Sequence, residues 1–536
     1  MRPPPSSMGK KRGNLGNYYN LKGITDMIYD PTTIQNDESS LEADICIIGS
    51  GAGGAISAAK LADKYSIIML ERGPKVTRED FTQNERESLR KLYQIQAGQS
   101  TDDGSVRIFQ GRCLGGSTTV NWMTCLRTPF FVLNQWADEF GLEDYTPEKM
   151  ETHFKAVEKR LSVHKIPDDD HNPQNRIILD GTKKLGIKGS GTWNNSVNCI
   201  GCGYCGVGCH YDAKQDMRLT YLKDALATKN ITIYTGTNAE QIDYVSKNEQ
   251  VTTGITLGKE YGQSQDRILK IKSKRLIIAG SAIWTPIVLQ KSSLTKNQNL
   301  GKYLTIHPVT LALGLFERII DPSYGIPQTT YSNEYINLDG NGYGFWLEVP
   351  PVQPTMAGMY FPGLGPKRRE LVSKMRNKGT IIVLTRDGAN KKSNGEVRWR
   401  KNRLSITYKL CREDKSHLLK GLENALEVLF AAGAVETFTT HSRSISLKSP
   451  QDIPKIRNLK SGPNHISLFS AHPLGTARMG MDPQTSVVDS TMQMHDYPGV
   501  YITDGSVLPT ALGVNPMITI LATISRAYDI DTDLGM

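Results

Sequence analysis

Short apolar runs separated by glycine-rich turns organise this chain. Residues 43–50 (ADICIIGS) lack the alternation of a half-exposed strand; their apolar, β-branched run predicts a parallel strand buried on both faces. An alanine-rich helix is predicted over roughly 53–64, where Ala55, Ala58, Ala59 and Ala62 are small enough for it to lie close to a sheet. A second buried strand, 66–70, ends at Glu71, and further apolar strands are predicted at 275–279 and 500–503. Alternation over 397–410 predicts a hairpin turning at Lys401-Asn402. Over 414–432, Leu418, Leu419, Leu422, Ala425, Leu426 and Leu429 recur at helical spacing, so they read as core positions of an amphipathic helix. There is no internal repeat or low-complexity tract.

The joint between the first strand and its helix reads G-x-G-x-x-G, with Gly49, Gly51 and Gly54 at the fixed positions. In a strand–turn–helix setting the first glycine permits the tight turn. The second lets backbone approach a pyrophosphate, and the third permits helix–strand packing. The helix N-terminus stabilises the phosphate charge. Glu71 stands where a ribose-binding acid belongs, so a dinucleotide site is expected; the motif alone does not separate FAD from NAD.

Two further groups carry chemistry. His472 lies in SAHPLGTARMG (470–480), and Asn515 in YITDGSVLPTALGVNPM (501–517). Histidine takes a proton near neutral pH, and asparagine offers an oxygen atom both a donor and an acceptor. Taken alone, His472 is equally consistent with a loop-capping histidine. Cys199, Cys202, Cys205 and Cys209 follow the spacing of a ferredoxin cluster loop, with His210 where such loops usually carry proline. The same four residues suit an iron–sulfur cluster, tetrahedral zinc, two disulfides or free thiols.

The sequence GRCLGGSTTVN, holding Gly111, Gly115, Gly116, Ser117 and Asn121, resembles the first signature of the glucose–methanol–choline (GMC) flavoprotein oxidoreductases, with Thr118 replacing its second serine. GSAIWTP (280–286) resembles the second signature, NLGKYLTIHP (299–308) is similar to another family element, and the stretches around His472 and Asn515 resemble the C-terminal signature. The resemblance implies an α/β chain, α+β overall: a Rossmann-like FAD-binding domain over 43–310 with an inserted antiparallel-sheet substrate domain over 311–460. Residues 461–536 would return to the FAD domain. It implies FAD contacts from Gly49, Gly51, Gly54 and the Glu71-Arg72 strand end. It implies others from the Gly111–Asn121 loop and from Asp504, Gly505 and Asn515. His472 would be the catalytic base and Asn515 its partner. Val120 stands where some members link FAD covalently through histidine, so dissociable FAD is expected. The Cys-rich segment is similar to that of long-chain alcohol oxidases and of flavin-dependent sugar dehydrogenase subunits that carry a three-iron cluster.

The implied activity is FAD-dependent oxidation of an alcohol, with a primary alcohol bearing an apolar tail as the leading substrate class. Alternatives are a sugar or polyol dehydrogenase with an iron–sulfur relay and a redox-neutral flavoprotein lyase. An electron-transfer module is disfavoured by the intact His472/Asn515 pair. Composition adds limits. No apolar run reaches membrane-spanning length. Residues 1–42 are polar, basic at Lys10-Lys11-Arg12 and without a signal-peptide core, and are expected to form a flexible tail. The net charge of +10 gathers partly at Lys367-Arg368-Arg369 and around Lys391-Lys392, a face suited to acidic lipid or an acidic electron-acceptor protein if not merely solvated. No nucleic-acid motif accompanies it. The scattered Cys46, Cys113, Cys125 and Cys411 suggest a reducing compartment, so a cytoplasmic placement is expected, with peripheral membrane contact left open.

Overall fold

The computed structural model describes residues 27–29, 40–245, 251–257, 267–363, 365–390, 395–531 and 534. Of the expected tail only 27–29 and 40–42 fall within these, and Lys391 and Lys392 lie outside them.

Among the described residues the chain builds two large sheets. The first centres on Ser40–Ile48, whose Ile45, Cys46 and Ile47 are fully buried. Ile67–Leu70 and Arg267–Ile278 flank it in parallel; Ile231–Tyr234 and Ile28–Tyr29 extend one side, and Val500–Ile502 pairs with Arg267–Ile278 on the other. Parallel strands need crossover connections, and the helix Ala52–Leu61 supplies the first. It packs on Tyr221–Ala227 and Met517–Ile530. The first half of Arg267–Ile278 continues into an antiparallel meander with Val251–Leu257 and Thr237–Tyr244.

The second sheet is antiparallel apart from one pair. Its spine is Val309–Leu315, Lys378–Thr385, Phe345–Glu348 and Thr330–Ser332. Helices Arg412–Ala431 and Pro173–Leu185 cover one face. The period-2 alternation of a strand then sorts side chains. Ile381 and Val383, with Phe345 and Leu347, pack under the helices. Ile382 and Leu384, with Glu348, face the opposite way, into a cavity between the two sheets. Three strands of this sheet come from outside 311–460: Val106–Ile108, Ser190–Gly191 and Leu468–Ser470. The hairpin Glu396–Arg400/Arg403–Thr407 turns at Lys401 and Asn402, both with positive φ. It stands apart from this sheet and packs Val397 and Ile406 against Ile283 and Ile287.

Candidate active site

The glycine-rich joint sits at the carboxyl ends of the parallel strands, where an open parallel sheet leaves a crevice. A Cβ on Gly54 would lie 1.9 Å from the Gly49 carbonyl oxygen, so that glycine serves internal packing. A Cβ on Gly51 would meet nothing nearer than Gly116 Cα at 3.9 Å. Its missing side chain serves the space outside, as close approach of a pyrophosphate requires. Glu71 is buried; its Oε2 accepts from the Ser50 amide (3.0 Å) and hydroxyl (2.5 Å), and its Oε1 from the Gly73 amide (2.7 Å). Burial raises its pKa, and those hydrogen bonds oppose the rise. The Arg72 guanidinium lies 4.1 Å from the centre of the Trp284 ring.

The second glycine loop is tied to the first. The Gly115 amide donates to Ser50 Oγ at 3.0 Å, and the Ser117 hydroxyl accepts from the Gly111 amide at 2.9 Å. The Asn121 side-chain Oδ1 accepts from the Met123 amide at 3.2 Å. Asp504 acts as a latch: Oδ2 accepts from the Thr285 hydroxyl (2.5 Å) and the Ser281 amide (2.8 Å), and Oδ1 from the Ser506 amide (2.7 Å). This explains why the GSAIWTP and TDGS segments occur together: each completes the other's turn beside Gly505.

One cavity of about 370 Å³ joins these parts to the expected catalytic pair. Gly49, Gly51, Glu71, Gly116 and Ser117 line one stretch, and Val120, Asn121, His472 and Asn515 another. Its volume suits a small-molecule site. The glycine-lined crevice, with open space at Gly51 where a pyrophosphate would approach, fits FAD. Leu89, Phe109, Met356, Ile382, Leu384 and Phe469 give the remainder apolar walls.

His472 Nδ1 lies 3.2 Å from His307 Nδ1, with the two rings nearly perpendicular. His307 Nε2 accepts from the Leu512 (2.8 Å) and Gly513 (2.9 Å) amides. Its own backbone is held at φ 47°, a region costing a non-glycine residue about 1–3 kcal/mol. Asp387 holds it there by accepting from the Ile306 (3.1 Å) and His307 (3.0 Å) amides and from the Tyr408 hydroxyl (2.6 Å). Burial pushes His472 down to about 4, and the Asp387 carboxyl up to about 7 with help from Asp414. Both imidazoles are therefore neutral at neutral pH.

Glu348, His307 and Gln328 were absent from the site expected on sequence. Glu348 is 1% exposed at the end of an apolar strand, and Oε2 accepts from Gln328 Nε2 at 2.6 Å. The Thr124 hydroxyl in turn donates to Gln328 Oε1. Glu348 Oε1 and Asn515 Oδ1 have no hydrogen-bond partner within the protein. Burial pushes Glu348 up to about 8, with Asn515 offsetting part of the rise. The available signal was a single acid in the apolar run FWLEVPP, in phase with the cavity face.

Of the four alternatives open for the cysteine loop, the structure shows the free thiols. Cys199, Cys202, Cys205 and Cys209 are free thiols, so the disulfide alternative is not realised. Among the described residues no group of three or more His, Cys, Asp or Glu is placed to hold a metal ion, so neither the cluster nor the zinc ligand set is assembled. The backbone is shaped by other demands. The buried Lys214 ammonium donates to the carbonyls of Thr119 (2.7 Å), Asn121 (2.9 Å) and Cys205 (2.9 Å), clamping the cysteine loop onto the second glycine loop. Gly203 packs on the Ser323 carbonyl and Gly208 on Phe81. Gly203, Tyr204, Gly206 and Val207 thereby become cavity wall. No helix of the described residues is long and apolar enough to cross a membrane.

Two family models described as GMC oxidoreductase match residues 44–309 and 391–523. Two long-chain-alcohol oxidases of Arabidopsis thaliana are each 30% identical, over 91% of this chain and 66% and 68% of their own lengths. The chain thus spans about two thirds of those relatives. A cholesterol oxidase of Acinetobacter baumannii is 22% identical over 91% of this chain and 94% of its own. Among solved structures, pyridoxine 4-oxidase from Mesorbium loti superposes with TM-score 0.68 at 17% identity (91% and 98% coverage). An Aspergillus oryzae formate oxidase variant superposes with TM-score 0.69 at 15% identity (93% and 100%). At such identities the likeness concerns the fold.

Proposed function

The chain belongs to the GMC oxidoreductase family, and from that premise we propose that it is an FAD-dependent oxidoreductase acting on the CH–OH group of an alcohol with an apolar tail. The observation that carries this reading is the convergence, on one cavity, of the glycine cradle, the His472/Asn515 pair and an apolar wall. The residues lining the crevice from Gly49 to Asn121, with Glu71, Asp504 and Gly505, hold the dinucleotide, and Val120 offers no side chain for a covalent link. FAD supplies a two-electron acceptor for the carbinol hydride.

His472 and Asn515 hold the alcohol oxygen, Asn515 through its amide nitrogen, which donates to it. Leu89, Phe109, Met356 and Phe469 take the alkyl tail and exclude water, which strengthens every hydrogen bond made to the oxygen. The likeness to long-chain-alcohol oxidases supports a long or apolar primary alcohol over a sugar, whose hydroxyls would be desolvated without compensation against Leu89, Phe109, Met356 and Phe469. The test is purification followed by acid precipitation and spectroscopy. FAD should appear in the supernatant, and flavin retained in the pellet would overturn the dissociable site. Anaerobic addition of a long primary alcohol should then bleach the flavin where glucose does not; bleaching by glucose alone would favour the sugar dehydrogenase reading.

A further inference from the structure

A second pocket, of about 420 Å³, borders the catalytic cavity at Leu89, which lines both. Its other walls are Arg86, Arg90, Gln96 and Thr355, so the lining changes from apolar to cationic across one residue. Arg86 and Arg90 stand four apart on one face of the helix Glu85–Leu92, where like charges repel. Among the described residues neither has an ion-pair or hydrogen-bond partner, whereas Lys91 pairs with Asp80 at 2.7 Å. The acids of this helix are engaged elsewhere: Glu85 Oε2 accepts from the Thr355 amide at 2.7 Å, and Glu87 Oε2 from the Thr82 hydroxyl at 2.9 Å. The first of these bonds ties the helix to Pro354–Tyr360 and brings Thr355 to the pocket. Gln96 arrives by a strained turn. Ile95, Gln96 and Ala97 hold φ of 48°, 54° and 62°, a left-handed region that non-glycine residues occupy only where the surrounding structure demands it. Tyr93 and Gln94, before the turn, line the inner cavity, and Gln96 lines the outer pocket. Two unpaired guanidinium groups, a primary amide and a hydroxyl all donate hydrogen bonds, a set that suits a carboxylate.

Resting on the alcohol oxidoreductase reading, we propose that the outer pocket is a specificity site for an anionic group at the far end of the substrate, so that the preferred alcohol is a long-chain ω-hydroxy carboxylate. The hydroxyl reaches the flavin end of the cavity, the methylenes lie along Leu89, Phe109, Met356 and Phe469, and the carboxylate stops at Arg86 and Arg90. A plain alcohol leaves its terminal methyl beside two hydrated cations and gains nothing there. A carboxylate on too short a chain is worse placed, because it is desolvated against the apolar wall without a partner. The two pockets together thus select for both ends of the substrate and for the distance between them. The arginines are exposed, so each pairing favours the acid by roughly fivefold at most.

The test compares ω-hydroxy acids of increasing chain length with their methyl esters, as kcat/KM of the holoenzyme at neutral pH and low salt. Short acids should be poorer substrates than their esters, because their charge falls on the apolar wall. Beyond the length that reaches the arginines the order should reverse, with the acid preferred by roughly fivefold per arginine. Added salt should shrink that preference. Arg86→Gln combined with Arg90→Gln should return the long-chain acid-to-ester ratio to near one, and Arg90→Glu should invert it. A ratio that does not change with chain length would overturn the proposal, since long-range attraction by the net charge of +10 acts on short and long acids alike. So would a long-chain preference that survives the double substitution. Calorimetric binding of dodecanoate, which has no hydroxyl to oxidise, should weaken in the double variant. Sedimentation with phosphatidylglycerol vesicles separates the other source of an anion: vesicle binding lost in the double variant, with the acid-to-ester ratio unchanged, would assign the arginines to a lipid surface and overturn the substrate-end site. Failure here is separable from failure of the function. Bleaching by alcohols and esters with no acid preference at any length sinks the outer site alone. Dodecanoate binding that depends on Arg86 and Arg90, in a protein that no alcohol bleaches, sinks the alcohol reading alone.

Discussion

Replacing Gly51 by alanine separates the fold from the cofactor site. A Cβ there meets nothing nearer than 3.9 Å, and the backbone, at φ −67° and ψ −166°, is extended and open to any residue. Stability without FAD should therefore change by no more than about 0.5 kcal/mol. The new methyl stands where the pyrophosphate comes closest to the chain. One methyl too many in a fitted site costs about 1–3 kcal/mol, so the FAD Kd should rise roughly 10–200-fold. Gly54→Ala is the opposite control. Its Cβ would lie 1.9 Å from the Gly49 carbonyl oxygen, a clash with backbone that only a shift of helix against strand relieves. It should lose about 1–3 kcal/mol or more with or without FAD. Thermal unfolding of the apoprotein followed by circular dichroism reads the first quantity, and quenching of flavin fluorescence on titration reads the second. A Gly51→Ala protein that binds FAD as tightly as the wild type would refute the placement of the pyrophosphate. So would one that loses stability without FAD as Gly54→Ala does.

Other outcomes follow from the same geometry. Across a series of primary alcohols, kcat/KM should rise about fourfold per methylene, the equivalent of ~0.8 kcal/mol of apolar burial, until the wall is filled; a flat series would argue against an apolar tail site. With Glu348 pushed up to about 8, the carboxylate form grows as pH rises. The buried site favours the acid form, so folding stability should fall as pH rises from about 4.5 towards 8, and Glu348→Gln should remove that dependence in denaturant unfolding; an unchanged slope in the variant would mean that Glu348 is not the group responsible. Lys214→Met strands three buried carbonyls, each worth about 1–3 kcal/mol when unsatisfied, so denaturant unfolding should show a loss of at least ~2 kcal/mol; unchanged stability would mean the clamp is dispensable.

The parallel strands, the glycine joint and the long helix at Arg412–Ala431 were legible because their signals are local: a period, a spacing, a turn residue. The hairpin at Lys401-Asn402 announced itself in the same way. What was not legible depends on distant partners. His472 meets a histidine 165 positions away, and that histidine accepts from the amides of residues 512 and 513. Glu348 looked like any acid near a prolyl turn until the strand register put it on the cavity face beside Asn515. Two- and three-residue strands such as Ser190–Gly191 and Val106–Ile108 carry no period, so their membership of the second sheet could not be read. The cysteine spacing shows the limit of a motif: four thiols at ferredoxin intervals lie on a loop whose path is fixed by Lys214 and by glycine packing, with no ligand set assembled.

The central claim is that one cavity holds FAD and an alcohol together, with the protein's own groups taking the hydroxyl proton. Anaerobic mixing of the purified holoenzyme with a long-chain primary alcohol, followed at the flavin absorbance, tests it most directly. The account predicts bleaching at a rate that saturates with alcohol, with one aldehyde formed per flavin reduced. Flavin that keeps its colour with every alcohol tried, while a cyanohydrin is cleaved at the same site, would contradict it.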